Sequence, residues 1–338
     1  MKRIRAWGLV LAVPGLIIVQ AACLTHKPRL GVEDRDIRAA LRTARISYAT
    51  SKGVYLARGD GSKPKRVVGA RSIGHKSAAF MPSLSPNSRH LLFLSLVDVN
   101  RGESTGRDLT LNVLELDGAR VARWRRIRLE KLLDAGPDGR QEVSTIAAAQ
   151  WSPGGGKIAL GVNRREAGAG DAMMIFDAEG HPLHVYDLGD WPLPRVGGIS
   201  WSLDAKSLLV GLEAGEDPAR GIIARLRLDV RDYFGITPRD VIGVGRDPAL
   251  SPDGKKIAVV DHHDGQWDIV MLDEEGRELD RFDKPAGRAL NRPFWAPGGR
   301  FLYYYSLAST GPLGLIQVTM LRCFDTQSRR VFDLVRIQ

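Results

Sequence analysis

Apolar runs of about five residues, at 91–95, 158–162, 208–212, 257–261 and 301–305, each follow a polar turn built to one pattern. The turns are Leu84-Ser85-Pro86-Asn87-Ser88-Arg89, Trp151-Ser152-Pro153-Gly154-Gly155-Gly156-Lys157 and Trp201-Ser202-Leu203-Asp204-Ala205-Lys206, then Leu250-Ser251-Pro252-Asp253-Gly254-Lys255 and Trp295-Ala296-Pro297-Gly298-Gly299-Arg300. A phrase returning every 45 to 67 residues makes the structural unit a small sheet, repeated, and not one large doubly wound domain.

Each unit reads as four strands. The first ends at the Ser-Pro position, where proline pre-sets the turn and Asp-Gly or Gly-Gly reverses the chain. The apolar run is the second strand, and a polar loop leads to a third at 109–116, 173–176, 268–272 or 315–324. Hairpin turns at Asp117-Gly118, Glu179-Gly180 and Glu275-Gly276 then lead to a short fourth strand, as at 278–282 or 330–334. Residues 45–50, 53–58, the turn Gly59-Asp60-Gly61 and 65–68 repeat strands two to four without a first strand. Five full units and one partial unit predict an all-β chain, a six-bladed β-propeller of four-stranded antiparallel blades with an incomplete first blade. Trp151, Trp201 and Trp295 occupy one repeat position, where a large ring fills the wedge between blades.

The phrase W-S-P-D-G-K, followed by an apolar strand and a D-G hairpin, resembles the TolB-type β-propeller repeat over residues 45–335. The resemblance implies the propeller alone, without the α/β domain that precedes it in TolB. In that family a chain-terminal strand completes the first blade; here that blade either stays three-stranded or borrows residues from the 30s.

Ahead of the repeats, Lys2, Arg3 and Arg5 precede an uncharged, mostly apolar run of 14 residues, 6–19, and the small residues Ala21 and Ala22 before Cys23. Residues 1–23 thus have the order of a secretory signal. Two processing routes fit. Cys23 stands where a bacterial lipoprotein is lipidated, although Gln20 replaces the usual aliphatic residue; Val19 and Ala21 equally suit ordinary signal cleavage. Residues 24–44 form a linker or a short helix, with Ile37 and Leu41 on one face, and 45–338 form the propeller. The formal charge of +10 falls to +7 without the three leader cations, a surplus that favours acidic partners, phosphate-bearing surfaces or anionic headgroups. Cys323 is the one other cysteine; it lies in an apolar stretch and reads as a buried small residue, so disulfides do not hold the fold.

No G-x-S-x-G, P-loop, G-x-G-x-x-G or C-x-x-C motif occurs. His262 and His263 are adjacent in an expected loop, where neighbouring side chains diverge and chelate poorly. No cofactor and no metal are expected. Two basic features stand out. Arg120, Arg123, Arg125, Arg126, Arg128 and Lys131 surround Trp124 in a unit of 67 residues, against 45 to 50 for the others; the plain reading is a solvated outer strand. Lys76, Arg195, Arg246 and Arg292 fall four to nine residues before their anchor turns, in loops expected to ring one mouth of the channel and to suit a carboxylate or an acidic peptide. The function expected is a non-enzymatic, exported platform, periplasmic or membrane-anchored, monomeric or part of a complex, which binds an acidic envelope protein and not nucleic acid. The partner would meet Lys76, Arg195, Arg246 and Arg292, with Trp124, Arg125 and Arg126 assisting. The alternative is a propeller enzyme (hydrolase, lyase or dehydrogenase) using His75, Glu142, Asp247 and Arg292 at that mouth.

Overall fold

The computed structural model describes residues 35–74, 77–101, 104–129, 143–164, 171–188, 195–214, 217–228, 240–263, 266–282, 288–310 and 316–337. The expected leader with Cys23, as well as His75, Lys76, Lys131 and Glu142, lies outside the described residues.

Helix α1 (Arg35–Thr43) precedes a three-stranded sheet of β1 (Arg45–Thr50), β2 (Gly53–Arg58) and β3 (Lys65–Gly69), and α2 (Ala70–Ile73) leads out of it. Blade two is β4 (Ala78–Leu84), β5 (His90–Arg101), β6 (Ser104–Asp117) and β7 (Arg120–Arg128). Blade three is β8 (Val143–Trp151), β9 (Lys157–Arg164), β10 (Ala172–Asp177) and β11 (Pro182–Asp187). Blade four is β12 (Arg195–Trp201), β13 (Ser207–Ala214), β14 (Asp217–Arg227) and β15 (Val241–Val244). Blade five is β16 (Arg246–Leu250), β17 (Ile257–His263), β18 (Gln266–Leu272) and β19 (Glu278–Phe282). Blade six is β20 (Arg288–Trp295), β21 (Phe301–Thr310), β22 (Ile316–Asp325) and β23 (Arg330–Ile337). Within each blade neighbouring strands pair antiparallel in sequence order, which is the expected six-bladed propeller.

The repeated turn is held by its own side chains. In blade five Ser251 Oγ donates to Asp253 Oδ1 (2.6 Å) and accepts from Lys256 N–H (2.9 Å), while Asp253 Oδ1 also accepts from Lys255 N–H (3.1 Å). Ser202 and Asp204 repeat this in blade four. The position three residues after the serine takes positive φ in every copy: Ser88, Gly155, Ala205, Gly254 and Gly299, the last in the copy where Ala296 replaces serine. Glycine adopts that conformation at no steric cost.

The second strands are apolar on both faces because each blade is covered on both sides. Ile257 and Val259 pack towards Leu209 and Ile223 of blade four, whereas Ala258 and Val260 pack towards Leu290 and Leu302 of blade six. Each of the six seams between blades carries such an apolar cluster. Three seams add an indole bond: Trp151, Trp201 and Trp295 donate Nε1–H to the carbonyls of Ser83 (3.0 Å), Gln150 (3.2 Å) and Ala249 (2.9 Å), one repeat position on the preceding blade. The tryptophan wedge expected from the repeat is what the structure contains.

Blade one lacks its first strand, as the sequence implied. The turn after β2 (Arg58 N–H to Ser62 O, 3.0 Å; Gly61 N–H to Arg58 O, 2.8 Å) matches the third-to-fourth-strand turn of blade five (Asp273 N–H to Arg277 O, 2.9 Å; Gly276 N–H to Asp273 O, 3.1 Å). β1 to β3 are therefore strands two to four, and among the described residues none from the 30s joins the sheet. Those residues form α1 instead. Ile37 and Leu41, four apart on one helical face, are buried with Ile46 and Tyr48 of blade one and Phe301, Tyr303, Phe332 and Leu334 of blade six. The helix thus packs where the first blade meets the last.

Candidate binding site in the channel

Each full blade's first strand carries a register shift at the same place: between Phe80 and Ser83, Ile146 and Ala148, Val196 and Gly198, Arg246 and Ala249, and Asn291 and Phe294. In blades two, five and six the residue four before the anchor has left-handed backbone, Met81 at φ 50, Asp247 at φ 49 and Arg292 at φ 50. Each is followed by proline: Pro82, Pro248 and Pro293. Bulges of this kind re-aim a side chain, and they gather near functional sites.

Arg195 and Arg246 are the first residues of β12 and β16, and Arg292 lies inside β20, so all three stand on first strands and not in the loops expected for them. Arg195 pairs across the sheet with Glu213 of β13. Arg246 reaches Glu213 from the next blade, Nη1 to Oε1 3.5 Å, and its guanidinium lies 4.0 Å from the centroid of the Trp267 ring on β18. Among the described residues Arg246 Nε is buried without a hydrogen-bond partner. Burial raises the Glu213 carboxyl above its ordinary range; Arg246 opposes that, Asp247 adds to it, and Arg195 opposes it less strongly. Room for this carboxylate comes from Gly197, where a Cβ would fall 2.4 Å from Glu213 Oε1. At Gly198 a Cβ would fall 2.7 Å from Asp247 Oδ1. Asp247 Oδ2 accepts the backbone N–H of Arg292 at 3.1 Å, which links blades five and six.

Three arginines and two carboxylates from blades four to six therefore converge, with Trp267 as a flat wall. Glu213 and Trp267 were not anticipated, because they lie on second and third strands whose distance from the anchor varies. The recurring residue-proline pair was the signal that could have located Met81, Asp247 and Arg292 together.

The second basic feature lies elsewhere, on β7, the outer strand of blade two. Arg125 donates to the carbonyl of Glu179 in blade three (3.0 Å). Arg126 donates to the carbonyl of Ser72 in α2 (2.6 Å) and lies 4.2 Å from the centroid of the Trp124 ring. Trp124 Nε1–H is bound by Asn112 Oδ1 at 3.0 Å. His262 and His263 end strand β17, not a loop; His262 is half-buried with its ring 4.5 Å from that of Trp267, and His263 is exposed. An open cavity of about 320 Å³ lined by Arg225, Asp240, Val241, Ile242, Glu274 and Glu275 involves the outer strand of blade four and the last turn of blade five.

No family model matches the chain, and no curated protein does. Its fold is nonetheless shared with solved structures. TolB from Acinetobacter baumannii aligns with a TM-score of 0.56 at 15% identity, over 87% of this chain and 64% of that one. A protein described as a putative TolB from Agrobacterium tumefaciens aligns with a TM-score of 0.53 at 18% identity, over 81% of this chain and 84% of that one. A puromycin-hydrolysing peptidase from Mycobacterium tuberculosis aligns at 0.51 and 16% identity, over 87% of this chain but 45% of the peptidase. The chain thus spans less than two thirds of the Acinetobacter protein and under half of the peptidase. At such identities the likeness is one of fold, and the fold is the TolB-type six-bladed β-propeller.

Proposed function

We propose that this chain is an exported, non-enzymatic propeller that serves as a protein-interaction platform at the bacterial cell envelope, binding an acidic partner at the channel mouth. The observation that carries the reading is the placement of Arg195 and Arg246 at the head of first strands in adjacent blades, flanking one carboxylate and one flat indole. Cations so arranged steer and orient an acidic surface, and a TolB-type propeller fits an interaction role. The sequence pattern adds Lys76, which lies outside the described residues, to this face, whereas Arg125, Arg126 and Trp124 stand on the outer strand of blade two, where both arginines hold main-chain carbonyls. The leader-like order of residues 1–23, followed by ordinary cleavage or by lipidation at Cys23, supports the envelope part of the reading. The likeness to a peptidase favours the enzyme reading only over the shared propeller, and Asp247 holds Arg292 through a backbone N–H, an arrangement suited to positioning.

The test is capture of partners from solubilised envelope by the full chain and by Arg195→Glu, an exposed position. Capture should fall about tenfold, equivalent to about 1.4 kcal/mol, and should weaken as salt is raised. A folded Arg195→Glu protein that captures the same partners equally well at every salt concentration would refute the mouth as the interface.

A further inference from the structure

We infer that the basic outer edge of blades one and two is a docking face for the anionic headgroups of a phospholipid bilayer. The inference rests on the envelope part of the reading above, and not on protein docking at the channel mouth, which uses other strands.

Charge is divided unevenly around the ring. Over the described residues 45–129, which form blades one and two with α2, fifteen lysines and arginines stand against five aspartates and glutamates. Over the described residues of blade five, 246–282, on the far side of the ring, five stand against nine. The cations are also answered differently. In blades five and six Arg277, Arg281, Arg300, Arg322 and Arg329 each pair with a carboxylate. In blades one and two, Lys65 and Arg66 of β3, Arg71 of α2, and Arg120 and Arg123 of β7 are exposed. Among the described residues none of these five side chains forms a salt bridge. Of the five acids, Asp60 is buried against Arg42; Glu115 and Asp117 are exposed beside β7, and the surplus survives them.

These cations form one surface. β3 and β7 are the outer strands of adjacent blades, and Val67 of β3 packs in the same apolar cluster as Val121 and Trp124 of β7. The bond from Arg126 to the Ser72 carbonyl joins α2 to that seam. Along β7 the exposed cations run from Arg120 to Arg128, about 26 Å at the rise of a strand.

That breadth selects the ligand. Cations spread over two strand edges create a positive field, not a fork around one group. A bilayer of anionic lipid answers such a field, because its headgroups are many and move to meet each cation, and every Lys or Arg near the surface adds to the attraction. Helix α1 packs beside blade one, at its seam with blade six. A lipid on Cys23, one of the two processing routes, would stand twelve residues before Arg35, within about 40 Å of it. One acyl chain alone binds a membrane marginally, and a polybasic patch is a second contact that makes the binding stable.

The experiment is co-sedimentation of the full chain with vesicles of phosphatidylcholine alone and of phosphatidylcholine with phosphatidylglycerol, at low and high salt. Wild type is compared with Arg66→Glu/Arg71→Glu/Arg123→Glu, with the same three positions changed to Gln, with Lys206→Glu/Lys255→Glu/Lys256→Glu, and with Arg195→Glu. The leader, or a lipid, enters both kinds of vesicle in every protein, so the ratio between vesicles reads the protein surface. Wild type should prefer the anionic vesicles, and the preference should fade as salt is raised. The Glu triple on blades one and two should bind anionic vesicles at least tenfold more weakly and neutral ones unchanged, with the Gln triple in between. Urea midpoints of both should not fall, because the three side chains are exposed and outside any salt bridge. Lys206, Lys255 and Lys256 are exposed on turns of blades four and five; their triple has the same net charge with the face intact and should bind as wild type does. Equal losses from the two Glu triples would reduce the effect to net charge and overturn the inference, as would equal binding of wild type to both vesicles. A basic-face variant that keeps its vesicle binding but loses an envelope protein would assign the face to an acidic protein, which also overturns it. Arg195→Glu should bind vesicles like wild type while it loses the channel partner, so either reading can fail while the other stands.

Discussion

Replacing Leu41 by alanine tests how the ring is closed. Leu41 is fully buried in α1, among side chains from blade one and blade six. Truncating a core leucine costs about 2–5 kcal/mol, the spread depending on how far the site collapses. Collapse is limited here, because a Cβ on Gly59 would already fall 2.4 Å from the Leu41 carbonyl and 2.6 Å from the Tyr303 hydroxyl. A loss of about 3–4 kcal/mol is therefore expected, a large share of the roughly 5–15 kcal/mol typical of a folded domain. Equilibrium urea unfolding followed by tryptophan fluorescence measures it, with Leu183→Ala on exposed β11 (53% accessible) as the control, expected to change stability by no more than about 0.5 kcal/mol. The Arg42–Asp60 pair at the helix end, 2.9 Å long, has its arginine half exposed but its carboxylate buried, so Arg42→Ala leaves Asp60 with its Ser62 bond and should cost about 1–3 kcal/mol. If Leu41→Ala costs as little as the control, α1 is a passenger and closure rests on the blade contacts alone.

Three further outcomes follow from the same contacts. Trp295→Phe keeps an aromatic ring at the seam between blades five and six but loses the 2.9 Å bond to the Ala249 carbonyl; urea unfolding should show a loss of about 1–3 kcal/mol for the carbonyl left unsatisfied, and no loss would show that the indole nitrogen is irrelevant. Burial alone would raise the Asp325 carboxyl, but Arg300 (2.9 and 2.8 Å), Ser328 and Gln327 N–H hold it below the ordinary range. Its stabilisation is therefore present above the unfolded carboxylate pKa of about 3.9 and lost as pH falls through the folded value; urea midpoints should drop on acidification in wild type and drop less in Asp325→Asn. The Cys323 thiol is fully buried and its pKa is pushed well up, so in a Cys23→Ser chain a thiol reagent should label nothing until denaturant is added, and prompt labelling of the native protein would contradict the packing.

The parts of the fold legible in sequence are those whose bonds are local. Ser251, Asp253 and Lys256 lie within five residues of one another, so the turn they build shows as a phrase. The apolar run after it shows because both its faces are covered. Closure is different. The Tyr303 hydroxyl approaches the Gly59 carbonyl (3.4 Å) across 244 residues, and nothing near Gly59 announces the helix that seals the gap. The site divides in the same way. Counting back from the anchor led to Arg195, Arg246 and Arg292, since first strands keep their register to the turn. Glu213, Trp267 and Tyr305 arrive from strands that lack that ruler, and the left-handed backbone shows only through the proline that follows it.

The two groups of arginines also differ in what answers their charge, and this decides how variants of each should be read. On β7, Arg125 and Arg126 donate to main-chain carbonyls of a neighbouring blade and of α2, acceptors that any sequence would offer. Glutamate in their place turns a donor into a second acceptor facing a carbonyl, so it should loosen the seams of blade two before it alters any recognition. In the channel, Arg246 is held by an ion pair with Glu213 and by the Trp267 ring, while Arg292 is part-buried near Asp247 and Tyr305. Loss of binding with retained stability is therefore the signature expected of the channel arginines, and loss of stability with retained binding that of Arg125 and Arg126.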